Sequence, residues 1–411
     1  MTEPRVPPCR SCGSTIVEFL DLGSTPLADA LVTPGADASG EGYYPLRVAV
    51  CATCSLVQIT EEVPAETLFV DNYLYFSSFS DQLLAHSRAH ALGLIESRQL
   101  DSRSLVVELA SNDGYLLKNF VEAGVPVLGI DPAPDQARAA NAAGVPTLAE
   151  FFGPDLAARL VSEGKRADVI IANNVMAHVP DLNGFVAGMS LLVADEGVIT
   201  VENPYVRDLI EHCEFDTIYH EHFCYYSCTS VDRLAQRHGL YLNDVEYFPQ
   251  LHGGTLRWHL GRTESRSAAA AAHLEAESRT GMTSPEFYLD FGQRVERLRD
   301  DLVSLLRRLK ADGASIAAYG AAAKGSTLLN YCGIGHDLID FVVDRNTHKQ
   351  GLLMPGVHIP IEDPAALITK QPDYVLLLAW NFKDEIMSQQ QEYVAAGGRF
   401  IVPIPTPAIV G

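Results

Sequence analysis

Positive charge is scarce in this chain of 411 residues: 30 Lys and Arg stand against 52 Asp and Glu, a net charge of −22. That balance argues against nucleic acid or an anionic membrane surface as partner, since both would repel the protein. A phosphorylated ligand would have to be met by a local basic patch. Long apolar runs are missing too, and none approaches the ~20 residues needed to span a bilayer. The opening MTEPRVPPCRSCG has no signal-peptide h-region, so a cytoplasmic location is expected. Eight cysteines are too few for a disulfide framework in a chain this long. What is present, 47% hydrophobic and 20% charged residues, is the composition of a globular protein. The length exceeds one ordinary core, so several domains are expected, and the oligomeric state stays open, a monomer included.

Four of the cysteines form two CxxC pairs, CRSC (Cys9, Cys12) and CATC (Cys51, Cys54). Two such knuckles supply four thiolates for one tetrahedral zinc, which closes a small module with little core of its own. Four thiolates leave no open coordination position, so the role is structural. Cys213, Cys224, Cys228 and Cys332 show no ligand spacing.

From about residue 100 strands and helices alternate. LVVEL, PVLGI, ADVIIANN and GVITVEN are short buried-strand runs between helical stretches, the pattern of a parallel α/β sheet. A polar, irregular stretch follows, then the strand GGTLRWHLGR and the helix SAAAAAHLEAES. Ser284-Pro285-Glu286 reads as a helix start, with Phe287, Phe291, Val295, Leu298, Leu302, Leu305 and Leu309 at helical spacing, ending near Gly313. A second alternation begins at SIAAYG and continues through DLIDFVVD, DYVLLLAW and RFIVPI. The expected fold class is α/β: a zinc-binding module followed by two Rossmann-like, doubly wound sheets.

In VVELASNDGYLLKNF a strand ends in Glu108 and enters a small-residue loop before a helix. The stretch resembles the first motif of S-adenosylmethionine-dependent methyltransferases, E/D-x-G-x-G-x-G, although Ala110 and Asn112 replace two glycines and Gly114 remains. Asp131 in GIDPAP closes the next strand, where a carboxylate can accept both ribose hydroxyls. Asn173 and Asn174 open IIANNVMAHVPDL, which resembles the methyltransferase segment leaving the fourth strand. A loop poor in glycine also suits a ligand without a pyrophosphate. In the second sheet, AAYGAAAKGSTLLNY carries Gly320 and Gly325 at a strand-to-helix turn, and Lys324 with amides at a helix N-terminus makes a phosphate site. Asp344 and Arg345 in FVVDRNTHKQG end the next strand.

Taken in order, the paired CxxC module, ELASNDGYLL, NNVMAHVPD, YHEHFCYYS and YGAAAKGSTLLNY resemble the sugar C-methyltransferase family, nearest to the branch serving tetronitrose biosynthesis. The resemblance spans essentially the whole chain. It implies a zinc module over residues 1–70, an S-adenosylmethionine domain with a catalytic insert over 71–283, and a bridging helix with a sugar-nucleotide domain over 284–411. It implies transfer of a methyl group to C3 of a dTDP-3-amino-4-keto-2,3,6-trideoxysugar. That chemistry needs a base near C3, donors for the enolate oxygen and exclusion of water, but no metal. YHEHFCYYS supplies His222 as base, Tyr219 as donor and Glu221 as a positioning carboxylate. Tyr219 and His222 share a face only if the backbone there is not extended. Tyr73 resembles the family's substrate-facing tyrosine, with Tyr75 close enough to leave the register open, and His178 follows the fourth strand where cofactor and acceptor would meet. The cofactor set is Glu108, Ala110, Asn112, Gly114, Asp131, Asn173 and Asn174; the substrate set is Lys324, Arg345, Tyr219 and Tyr73. An NAD-dependent sugar-nucleotide oxidoreductase and a nucleotide-binding protein without turnover are the alternatives.

Overall fold

A computed structural model describes residues 7–35, 41–64, 78, 81–251 and 253–411. Three sheets organise the chain. The first begins with the antiparallel strands β1 (Ile16–Pro26), β2 (Tyr43–Cys51) and β3 (Val57–Ile59). Each CxxC pair sits in a tight turn closed by main-chain bonds, Gly13 N–H to Cys9 C=O at 2.8 Å and Ser55 N–H to Cys51 C=O at 2.9 Å. The turns bring the four sulfurs within 4.8 Å of one another, with Cys9 and Cys54 3.4 Å apart and Cys12 and Cys51 3.5 Å apart. Sulfurs ~2.3 Å from a tetrahedral zinc stand about 3.8 Å apart, so the set fits that ion.

The second sheet holds β4 (Val106–Leu109), β5 (Val127–Ile130), β6 (Thr147–Leu148), β7 (Ala167–Asn173) and β8 (Val193–Pro204). After them, β9 (Cys224–Tyr225) leaves to join the first sheet beside β3. Then β10 (Tyr241–Phe248) and β11 (Thr255–Gly261) return to the second. Its order is β10-β11-β8-β7-β4-β5-β6, and β11 runs antiparallel to both neighbours. The sheet expected from strand alternation is therefore parallel except at β11. That strand enters β8 as the second arm of a hairpin with β10, a connection no crossover helix supplies. Strand β4 is buried along its whole length, as a strand covered on both faces must be. The winding reverses between β4 and β7, the place where sheets of this kind leave a crevice at the strands' carboxyl ends.

A row of polar side chains crosses this sheet at one level. Asn173, Glu202, Arg257 and Glu246 are register neighbours on β7, β8, β11 and β10. Arg257 donates to Glu202 at 2.7 and 3.0 Å and to Glu246 at 3.2 Å, and stands 4.7 Å over the Phe248 ring. His86 on α1 (Asp81–Arg98) reaches Glu202 at 2.9 Å, which docks the helix on the row. Burial pushes the Glu202 carboxyl up, but the His86 hydrogen bond and the Arg257 charge outweigh it and hold it below its usual range.

In the third sheet β12 (Ile316–Tyr319), β13 (Val342–Val343), β14 (Ile361–Glu362), β15 (Tyr374–Leu377), β16 (Arg399–Val402) and β17 (Ala408–Val410) take the order β14-β13-β12-β15-β16-β17. Only β17 is antiparallel to its neighbour, and the winding reverses between β12 and β15. The bridging helix runs Phe291–Ala311, with its predicted seam of Phe291, Val295, Leu298, Leu302, Leu305 and Leu309 buried. It starts later than Ser284-Pro285-Glu286 suggests: those residues open a separate 3-10 turn, Pro285–Tyr288, and the Ser284 side chain caps nothing. Phe19 of β1 packs on Tyr288 and Phe291, so the helix also touches the zinc module. Among the described residues no helix is long and apolar enough to cross a membrane.

Two expectations follow. Elemental analysis of purified protein should find about one zinc per chain, and Cys51→Ser should lose most of it together with thermal stability. Protein carefully prepared and free of zinc would contradict this. Arg257→Met leaves the buried Glu202 with only His86 and should cost roughly 3–5 kcal/mol in denaturant unfolding. A cost under about 1 kcal/mol would remove the row from the forces that hold the sheet.

Candidate active site

Strand β4 delivers Glu108 to the crevice and then turns sharply: Ala110, Asn112 and Gly114 all have positive φ, at +55°, +50° and +80°. The loop thus keeps a left-handed backbone at the two positions where glycine is replaced, for ~1–2 kcal/mol each in a residue with a Cβ. At Gly114 replacement is harder, because a Cβ would meet the Val145 side chain at 3.0 Å. Asp131, at the end of β5, ties this loop down by accepting N–H bonds from Asn112 at 2.8 Å and Ala133 at 2.9 Å. Glu108 is 1% exposed, and one of its oxygens has no hydrogen-bond partner among the described residues. Burial, and then the charges of Asp131 and Asp113, push its carboxyl well above the usual range; burial also raises Asp131. The crevice therefore gathers acceptors that want donors. Asn173 and Asn174 line its far side at the end of β7, with Asn174 at φ +52° and its N–H held by the Glu202 carbonyl at 2.6 Å.

The histidine-rich segment lies between all three sheets. Residues 219–222 form a turn closed by His222 N–H to Tyr219 C=O at 2.9 Å, which is the non-extended backbone that a shared face requires. Tyr219 Oη is 3.0 Å from His222 Nε2, and the rings lie 4.1 Å apart. His222 Nδ1 is 3.1 Å from the Thr217 carbonyl, and His178 Nδ1 is 2.8 Å from the Glu221 carbonyl. A carbonyl can only accept, so both Nδ1 atoms carry hydrogen, and in the neutral rings both Nε2 atoms carry the lone pair. The two imidazoles meet edge to face, 4.7 Å between centroids. Burial pulls His178 down to about 4, against the Glu221 carbonyl, which raises it. It is neutral at any ordinary pH.

The neighbouring residues serve other purposes. His220 is buried, bonds the Pro45 carbonyl at 3.1 Å and sits edge-on to Tyr44, so it pins strand β2. Glu221 orients His178 through its carbonyl, while its carboxylate is buried beside Asp29 and Lys349; burial first, then the Asp29 charge, raise it well above the usual range. Tyr73 and Tyr75 lie outside the described residues.

Lys324 and Arg345 each have partners of their own. Lys324 turns toward the second sheet's insert, donating to Asn381 at 3.0 Å, 4.7 Å over the Trp380 ring and within the field of Asp216 and Glu214. Burial lowers Lys324, raises Glu214 to about 8 and raises Asp216 to about 6. Arg345 is exposed and stands 3.6 Å from Glu385. Asp344 accepts the Ala321 N–H at 2.7 Å and so shapes the loop after β12. Sequence reasoning missed Lys349, which donates to the Ala321 carbonyl at 2.7 Å and lies 3.8 Å from Asp29. It also missed the Asn173–Glu202–Arg257–Glu246 row. The alternation of Arg257 with His259, and of Glu246 with Phe248, was the available signal.

Family comparisons follow the same three-part order. A model described as "Putative zinc binding domain" matches residues 9–69, "Methyltransferase domain" matches 79–245, and "C-methyltransferase C-terminal domain" matches 250–405. C-methyltransferase NovU of Streptomyces niveus is 37% identical over 406 residues, covering 98% of this chain and 96% of that protein. A ubiquinone biosynthesis O-methyltransferase of Methylobacterium sp. (strain 4-46) is 34% identical over 85 residues, 20% of this chain and 33% of that protein. Among solved structures, the Burkholderia thailandensis 1,6-didemethyltoxoflavin-N1-methyltransferase with bound S-adenosylhomocysteine is 15% identical. It covers 51% of this chain and 96% of its own, at a TM-score of 0.37. The oxidoreductase and the non-catalytic readings give way here: matched along nearly its whole length by NovU, the chain belongs to the C-methyltransferase family.

Proposed function

We propose that the protein methylates C3 of a dTDP-linked 3-amino-4-keto-2,3,6-trideoxysugar with S-adenosylmethionine as donor and His222 as base. One observation carries the reading: two imidazoles in one corner have Nδ1–H on main-chain carbonyls, leaving Nε2 as the proton acceptor. A carbon beside a ketone becomes nucleophilic when its proton is removed, because the electron pair spreads onto the ketone oxygen. In this scheme the C3 proton passes to His222 Nε2. The Tyr219 hydroxyl, which donates to that nitrogen at rest, turns to the enolate oxygen as charge develops there. His178, kept neutral by burial, stands by as a second acceptor. Tyr73 is assigned to the substrate, and Lys324 and Arg345 to the nucleotide diphosphate, where Lys324 would trade its Asn381 contact for a phosphate oxygen.

S-adenosylmethionine, when bound, supplies an electrophilic methyl group on a sulfonium. The residues at the end of β4 suit it: Glu108 and Asp131 offer acceptors to an ammonium and to ribose hydroxyls. With Asp113 they put three carboxyl groups in one crevice, and a cationic ligand there would relieve the crowding that pushes Glu108 up. Ala110, Asn112, Gly114, Asn173 and Asn174 are assigned to its contour.

His222→Asn preserves size but cannot act as a base, so methylation should fall by ~10²–10⁴-fold. Tyr219→Phe, which loses a donor only, should fall less. Rates with labelled S-adenosylmethionine and a panel of dTDP-4-keto sugars test both, and near wild-type turnover by His222→Asn refutes the assignment of the base. Asp131→Ala should weaken S-adenosylmethionine binding by calorimetry and leave the dTDP-sugar affinity nearly unchanged. Equal losses for both ligands would mean that the crevice at β4 is not the cofactor site.

A further inference from the structure

The Thr217 carbonyl that receives His222 Nδ1–H belongs to a short turn, Phe215–Thr217, lying against the third sheet's loops. Two hydrogen bonds cross into this turn, one on either side of Thr217. Trp380 Nε1–H donates to Asp216 Oδ2 at 2.7 Å, and Thr327 Oγ–H donates to the Ile218 carbonyl at 3.0 Å. The Phe215 ring packs against Tyr331 of the same unit at 5.2 Å. Asp216 is fully buried and its other oxygen has no partner among the described residues, so the Trp380 bond is a main tie on that side chain. We infer that Trp380 and Thr327 are positioning residues for His222: the C-terminal unit holds the Thr217 carbonyl where it selects the imidazole tautomer with hydrogen on Nδ1.

The physical link is short. A histidine carries hydrogen on whichever nitrogen the surroundings hydrogen-bond as a donor, and the other nitrogen is left to act as acceptor. If the 215–218 segment drifts, the bond at Nδ1 lengthens, and hydrogen moves to Nε2 in part of the population. Such molecules cannot take a proton at Nε2. The third sheet thus has a part in the proton transfer without touching the reacting atoms. This rests on the assignment of His222 as base, and the test separates the two.

Trp380→Phe keeps an apolar ring and deletes the N–H; Thr327→Val is nearly isosteric and deletes the hydroxyl. In protein labelled with ¹⁵N-histidine, the wild-type His222 signals should report one tautomer with hydrogen on Nδ1, and each variant should show a mixture. The turnover number with a dTDP-3-amino-4-keto-2,3,6-trideoxysugar should fall on the order of tenfold in each, as expected for one lost hydrogen bond. Made in the His222→Asn background, the same changes should cost nothing further, because they act through a ring no longer present. A single Nδ1–H tautomer in both variants overturns the inference, and so do equal losses in both backgrounds, which mark simple packing residues. If His222→Asn itself turns over normally, the base assignment fails, while the tautomer signals still judge the positioning role.

Discussion

One segment, from Phe215 to Tyr226, is held by every part of the molecule, and the candidate site exists because of it. The zinc module takes Cys224–Tyr225 as the outermost strand of its sheet and receives the His220 imidazole on the Pro45 carbonyl. The second sheet grips the same segment through Phe223 N–H to the Ala177 carbonyl at 2.7 Å and Tyr226 Oη–H to the Met176 carbonyl at 2.8 Å. The third sheet holds its beginning at Asp216 and Ile218. Three independent anchors within twelve residues leave the turn at 219–222 little freedom. The main-chain carbonyls of Thr217 and Glu221 can then act as fixed acceptors for His222 and His178. Rigid acceptors of this kind are what preorganised proton transfer needs.

The zinc module makes sense in that setting. Four thiolates offer no place for a substrate, and one of the strands beside them, β3, is only three residues long. The module is not without a core, since Leu46, Val48, Val50, Leu56 and Ile59 are buried, and a metal between Cys51 at the end of β2 and Cys54 before β3 adds to what holds those strands still. Those strands in turn fix one edge of the histidine turn. A metal there would thus reach the histidine turn through the register Val57 to Tyr225 and Gln58 to Cys224.

Charge is used economically in this acidic chain. Arg257, buried under α1, is spent on Glu202 and Glu246 and stands 3.0 Å from His86 of that helix. Carboxylates without such partners, Glu108 in the crevice and Glu214 and Asp216 near Lys324, are forced upward by burial. These are the places where a ligand's donors or cation would restore the hydrogen bonds lost to desolvation.

Local patterns were legible where a residue's role depends on near neighbours. The CxxC spacing identified the thiolate cluster, short apolar runs identified most strands of both larger sheets, and a seam at helical spacing identified Phe291–Ala311. The adjacency of Tyr219 and His222 likewise required only a turn. What the sequence alone could not decide was which distant groups meet. That His220 is a pin on the Pro45 carbonyl, that Glu221 serves His178 through its carbonyl, and that Lys324 reaches Asn381 all depend on contacts across 43 to 175 positions. Such pairings cost chain entropy to form and are chosen by the packing of whole sheets, so no short window of residues contains them. The sequence by itself determined the elements, the thiolate cluster and the family; only the tertiary structure decided which nitrogen of each histidine keeps its hydrogen, because the placement of one main-chain carbonyl, Thr217 for His222 and the distant Glu221 for His178, makes that choice.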